Sequence, residues 1–264
     1  MRRQRRALLL AVVTATVFIA GWRTLSSDVA PPPSPSPATG PSVFAADRSS
    51  HDTPQAPATP VFATYRTLQL HLPVAVKDVT EIAFHQASGA SALAMTSLLP
   101  DADPALADNK RGTGRAASGQ DADAEGPSAL GGQVIRMWRT NRTGPPDTAA
   151  DVGARPGAPV IAPVSGTVVE VRPYLLYGEH EDIEIHIQPT GWPEIDLVMI
   201  HVTDPTVAPG DVVVGGVTRI ASVRLLSDRV THQLSEYTPD GGDHVHFQLN
   251  RVTEPGASEP VGGS

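Results

Sequence analysis

From Gly131 onward the chain is a series of short β-rich segments broken by glycine, proline and aspartate: QVIRMW, APVIAPV, GTVVEV, IEIHI, LVMIHV, DVVVGG, RIASVRLL and HVHFQL. No stretch of this half keeps apolar residues at helical spacing long enough to make a convincing helix. Short strands at regular turn spacing bury their apolar faces by pairing into a sandwich or barrel. The expectation is one all-β domain over residues 131–252, an ordinary size for a domain. Residues 253–264 are expected to form a disordered tail.

The upstream half has a different texture. Residues 30–60 begin PPPSPSPATGPS and read as a stiff Pro-rich linker. Residues 101–130 hold almost no large apolar side chain and read as an acidic disordered linker. Between them, 61–100 forms a small ordered island. Leu68, Leu70, Leu72, Val74 and Val76 alternate as in a strand, and Asp78 and Glu81 have capping-box spacing before an apolar run through Ile82 and Phe84. About 40 residues are too few for an adequate core, so the island is expected to pack on the C-terminal domain or on a partner. At the start, Arg2, Arg3, Arg5 and Arg6 precede an apolar run from Ala7 to Trp22. Residues 1–29 thus read as a cytoplasmic Arg cluster plus a transmembrane anchor or signal peptide. The expected location is the cell membrane, single-pass with the C-terminal domain outside, or secretion if the segment is cleaved.

Composition narrows the chemistry. With no cysteine there are no disulfides, thiol nucleophiles or thiolate-bound metals, so a metal site must use the nine histidines and the carboxylates. The formal net charge of -8 argues against general nucleic-acid binding. In Gly242–Asn250, GDHVHFQLN, strand alternation puts His244, His246 and Gln248 on one face and Val245, Phe247 and Leu249 on the core face. Two histidines one step apart reach one metal-bound centre, or form a surface pair. Asp147 and Asp151, in DTAAD after a Gly-Pro-Pro loop, either converge on a metal or belong to a solvated turn. His201 ends the apolar strand VMIHV. His186 has the same strand setting, His180 and His232 read as loop residues, and His85 in FHQAS reads as a packing or surface residue with no assigned function.

Taken in order, these pieces resemble the lysostaphin/LytM-type zinc metallopeptidases that cut peptidoglycan peptides. WRTNRTGPPDTAAD is similar to that family's arginine-containing loop leading into HxxxD. GAPVIAP, GTVV, VAPGDVVVGG and HVHF match its further elements over roughly residues 136–250. The resemblance implies a β-sandwich or barrel-sandwich hybrid (duplicated hybrid motif). It implies zinc held by the first and last residues of HxxxD and by the second histidine of HxH. Carried over, Asp147, Asp151 and His246 are the metal ligands, and His244 and His201 are the catalytic acid/base pair.

Asp147 stands where the family has histidine. An aspartate binds zinc at about 2.0–2.2 Å, but its charge leaves the metal less able to acidify water or polarise a carbonyl. The expected Zn²⁺ is thus weakened, and a harder divalent metal becomes an alternative. Two readings follow. One is a membrane-tethered, extracytoplasmic peptidoglycan endopeptidase. The other is a degenerate module that binds peptidoglycan or regulates a cell-wall hydrolase partner. A biotinyl or lipoyl carrier is excluded, because no lysine follows Lys110 to carry the cofactor.

Overall fold

The computed structural model describes residues 58–102 and 132–258, apart from Thr140, Asn141, Thr143 and Pro239. The expected membrane segment at 1–29, the Pro-rich linker up to residue 57, the acidic linker from residue 103 and the tail from residue 259 lie outside the described residues. Among the described residues no helix is long and apolar enough to cross a membrane. Among these residues helical turns are limited to two 3-10 segments, Val76–Asp78 and Gln233–Glu236. All other regular structure is strand, in agreement with the all-β class read from the sequence.

The upstream segment contributes β1 (Val61–Tyr65), β2 (Leu68–His71), β3 (Val79–His85), β4 (Ala92–Leu93) and β5 (Thr96–Ser97). Downstream come β6 (Ile135–Arg136), β7 (Ala149–Ala154), β8 (Pro159–Ile161), β9 (Gly166–Leu176), β10 (His180–Pro189), β11 (Ile195–Thr203), β12 (Val212–Val213), β13 (Arg219–Val223) and β14 (His244–Arg251). The main sheet runs β12-β9-β10-β11-β14-β7-β3-β6, with β13 on β11, β8 on β13 and β4 on β14. A three-stranded sheet, β2-β1-β5, is separate in its hydrogen bonding.

The segment 61–100 is woven into this architecture. Its β3 pairs antiparallel with β7 and parallel with β6. The capping-box spacing of Asp78 and Glu81 does not start a helix: Val79–His85 is a strand, buried at all but one position. Pairing on both edges satisfies that strand's backbone groups and buries its apolar side chains, and this outweighs a local helix-start signal. Phe62 of β1 packs edge-on against Phe247 of β14 at 5.7 Å and against Phe84 of β3 at 6.0 Å. Phe62, Phe84 and Phe247 are all essentially inaccessible, so one apolar core joins the upstream segment to the C-terminal strands. With that face of β14 committed to the core, alternation turns its histidines to the other face.

Gly166, which opens β9, is required by a close approach. A Cβ there would lie 2.3 Å from the backbone oxygen of Gln188 on β10. Gly166→Ala is therefore expected to destabilise the domain by about 2–3 kcal/mol, the upper part of the overpacking range. A urea midpoint unchanged from wild type would disprove this.

β10 also carries a buried ionic row. His186 Nδ1 lies 2.8 Å from Asp196 Oδ2, its Nε2 is 3.6 Å from Glu184 Oε2, and Arg172 pairs with Glu184. Burial opposes the charge on His186, but Asp196 and Glu184 together push its pKa up to about 9. A folded value above the unfolded one means that His186 stabilises fully below about pH 6.5. That contribution is then lost as pH rises through about 9. Melting temperatures should show wild type losing stability between those limits, relative to its own acidic value, more steeply than His186→Gln.

Candidate metal centre

Strand register assembles the centre. His246 on β14 lies directly across from Asp151 on β7, and Asp151 lies across from Ala83 on β3. Directly paired residues share a face, and so do residues two apart on one strand. His85, two beyond Ala83, therefore joins Asp151 and His246 on the face away from the phenylalanine core. His85 Nε2 is 3.0 Å and His246 Nδ1 is 2.8 Å from Asp151 Oδ1. The three residues offer ligand atoms that all lie within 4.8 Å of one another, and all three are buried.

The proton placement on His85 is fixed by its other nitrogen. Nδ1 is 2.8 Å from the carbonyl oxygen of Gln86, which only accepts, so Nδ1–H donates there. The other ring nitrogen, Nε2, faces the Asp151 carboxylate at 3.0 Å. Such an arrangement is satisfied by a cation between the two. Burial opposes the negative charge of Asp151, yet His85, His244 and His246 around it hold its carboxyl well below the usual carboxylate range. Burial drives the His244 and His246 imidazoles down to about 4, against the pull of Asp151, so both are neutral at pH 7. A carboxylate flanked by neutral imidazoles is the donor set a zinc-like cation takes.

The upstream residues are tied to this position. Gln86 Oε1 accepts from the Arg139 backbone N–H, its carbonyl accepts from Arg142, and the Ala87 N–H donates to Thr148 Oγ1. Arg139 Nη2 lies 3.4 Å from Asp151 Oδ2 and 3.5 Å from His85 Nε2.

Asp147, expected as the first ligand, is not a member of the cluster. It has a left-handed backbone (φ 65°), and its carboxylate is held by Arg136, which also binds Asp101 and lies over the Phe84 ring. Asp147 precedes β7, whereas β3 brings His85 in from the other side, so the position the sequence left short of a histidine has one nearby. His85 is the residue that sequence reasoning passed over. The readable signal was the alternation in VTEIAFH, which puts Glu81, Ala83 and His85 on one face.

Next to the cluster opens a cleft of about 330 Å³ lined by Trp138, Arg139, Tyr177, His201, Thr231, His232, Gln233 and His244. His244 Nδ1–H donates to the Gly242 carbonyl at 2.7 Å, which leaves Nε2 directed inward, 3.6 Å from Asp151 Oδ1. His201 arrives by a bulge: between β10 and β11 the register slips, with Ile183 opposite Val202 and Ile185 opposite Met199. A residue at φ 63° in that slip re-aims its side chain to the site face. The His201 ring lies 5.0 Å from that of His244 and 6.2 Å from that of His246. Asp182 Oδ2 accepts from both its Nδ1–H (2.8 Å) and its backbone N–H (3.1 Å), and Nε2 is left free.

Fourteen solved chains match this one. The catalytic domain of the prophage-encoded protein EnpA from Enterococcus faecalis matches at 19% identity over 43% of this chain and 74% of that one, TM-score 0.30. SpoIIQ in its pore-forming complex with SpoIIIAH matches at 22% identity over 40% of this chain and 58% of that one, TM-score 0.27. A zinc-containing peptidase from Vibrio cholerae matches at 20% identity over 48% of this chain and 31% of that one, TM-score 0.28. No family model matches, and no curated protein does. The likenesses are partial on both sides, and the residues of the cleft carry the functional reading.

Proposed function

We propose that this chain is a metal-dependent endopeptidase of peptidoglycan peptides, with a LytM-type centre whose first histidine comes from the upstream segment. The observation that carries it is the convergence of the buried His85 Nε2, Asp151 Oδ1 and His246 Nδ1 beside a cleft lined by His201 and His244. His85, Asp151 and His246 would hold the ion. Two neutral imidazoles and one carboxylate leave a divalent ion a net positive charge, so the weakening expected from two carboxylates does not arise. When bound, zinc acidifies a water and polarises the scissile carbonyl.

The rest is done by protein side chains. His201, with its proton fixed on Nδ1 by Asp182, presents a bare Nε2 to the cleft as proton acceptor. His244 presents its own Nε2 beside it. Arg139 braces the second oxygen of Asp151. The degenerate-module reading rested on aspartate at position 147, and the place of His85 beside Asp151 and His246 supports the endopeptidase reading over it. Placement outside the cytoplasmic membrane through residues 1–29 belongs to the same proposal. The test is metal analysis of the purified chain together with digestion of cross-linked peptidoglycan. About one zinc per chain and release of cleaved peptides are expected, and ordered protein that takes up no metal would refute the reading.

A further inference from the structure

We propose that His232 is a substrate-contacting residue that hydrogen-bonds the backbone of a peptide laid along the cleft; this rests on reading the cleft as a peptide-hydrolase site. His232 lines the cleft, is 8% exposed, and its Nε2 is buried without a hydrogen-bond partner. Three imidazoles around it have a ring nitrogen held, His85 by Gln86, His201 by Asp182 and His244 by Gly242, while His246, whose Nε2 is also buried without a partner, belongs to the metal cluster. A buried ring nitrogen without a partner is left desolvated and unsatisfied, and a bound amide group offsets that cost.

The ring is held in place from behind. His232 precedes the 3-10 turn Gln233–Glu236, and its carbonyl accepts from both the backbone N–H and the hydroxyl of Ser235, at 3.1 and 2.6 Å. Leu234, the next residue but one, is fully buried and anchors the turn in a small cluster with Ala83, Ile135 and Met137. The His232 ring stands 4.8 Å from that of His244 and 5.8 Å from that of His201. It thus occupies the cleft wall adjoining the proton-handling pair. On either side Thr231 and Gln233 line the same cleft with a hydroxyl and an amide, while Trp138 and Tyr177 stand exposed at 62% and 57%. A run of hydrogen-bonding groups beside exposed aromatic faces suits an extended peptide, whose backbone offers one donor and one acceptor per residue.

The test uses the full chain loaded with zinc and titrated with an uncross-linked peptidoglycan stem tetrapeptide, followed by tryptophan fluorescence, with Trp138 in the cleft as reporter. Zinc content is measured on the same samples. His232→Ala is expected to weaken binding about tenfold with zinc content unchanged, and His232→Gln, which still donates and accepts, to recover most of the loss. Wild-type affinity in His232→Ala overturns the proposal. Equal weakening by Ala and Gln also overturns it, since that indicates a disturbed loop. Zinc uptake with no peptide binding in wild type overturns it while leaving the metal centre intact. Absence of zinc strikes the metal centre itself, and the peptide titration still reads His232 independently.

Discussion

His85→Ala is expected to empty the metal centre. The substitution removes one of three converging donors and leaves Asp151 and His246, a pair that no longer encloses an ion. Loss of partners that only support a ligand already costs about 10–100-fold in metal affinity. Removal of a ligand should exceed that, so zinc content should fall from about one per chain to near zero, and peptidoglycan cleavage with it. Asp147→Ala is the matched control: its carboxylate is engaged by Arg136, so metal content should stay at the wild-type level. Asp147→His should likewise add no affinity, since the ligand position it was expected to repair is filled by His85. Zinc retained in His85→Ala but lost in Asp147→Ala would reverse the assignment. The same geometry decides what residues 58–102 do. A chain starting at residue 131 lacks β3, and with it the strand that flanks Asp151. It should bind no zinc. If the upstream segment instead occluded the cleft, its removal would raise activity.

The parts of the site that were legible lie on single strands. Alternation in HVHFQL alone separates His244 and His246 from Val245, Phe247 and Leu249, and the structure puts the first pair at the site and the second set in the core. Asp151 and His201 were expected at the site from the resemblance to the LytM-type family, since their local patterns read equally as a solvated turn and a polar strand end. What failed was pairing between distant segments. His85 and Asp151 are 66 positions apart with a long linker between them, and no local pattern states that β3 adds to the edge of β7. The capping-box spacing at Asp78 and Glu81 is a local helix-start signal that competes with the period-two pattern leading to His85. His232 was passed over for a similar reason: a histidine in irregular chain carries no periodic signal, and only the folded loop brings it against His244. Asp182 was invisible because its role depends on the bulge that turns His201 around.

Asp182→Asn should separate proton handling from metal binding. Asp182 Oδ2 accepts from His201 Nδ1–H, the His201 backbone N–H and the Tyr174 hydroxyl at 2.7 Å, while Oδ1 accepts from the Ile183 N–H. Burial works against its charge, but His201 and Tyr174 hold its carboxyl below the ordinary range. Its contribution to stability is therefore present above the unfolded value near pH 4 and is lost as pH falls through the lower folded one. An asparagine has one acceptor oxygen for four donors. Whichever way the amide turns, its NH₂ meets an N–H. The imidazole relieves this by moving its proton to Nε2, which converts the group facing the cleft from acceptor to donor. The same change in a catalytic triad lowers the rate about 10⁴-fold through the wrong tautomer, and general-base losses span about 10²–10⁴. A fall in kcat of that order is expected, with zinc still near one per chain because His201 is outside the ligand cluster. Tyr174→Phe removes one donor and keeps the carboxylate, so it should cost only a few-fold. Loss of zinc in Asp182→Asn would mean that His201 holds the ion rather than the proton.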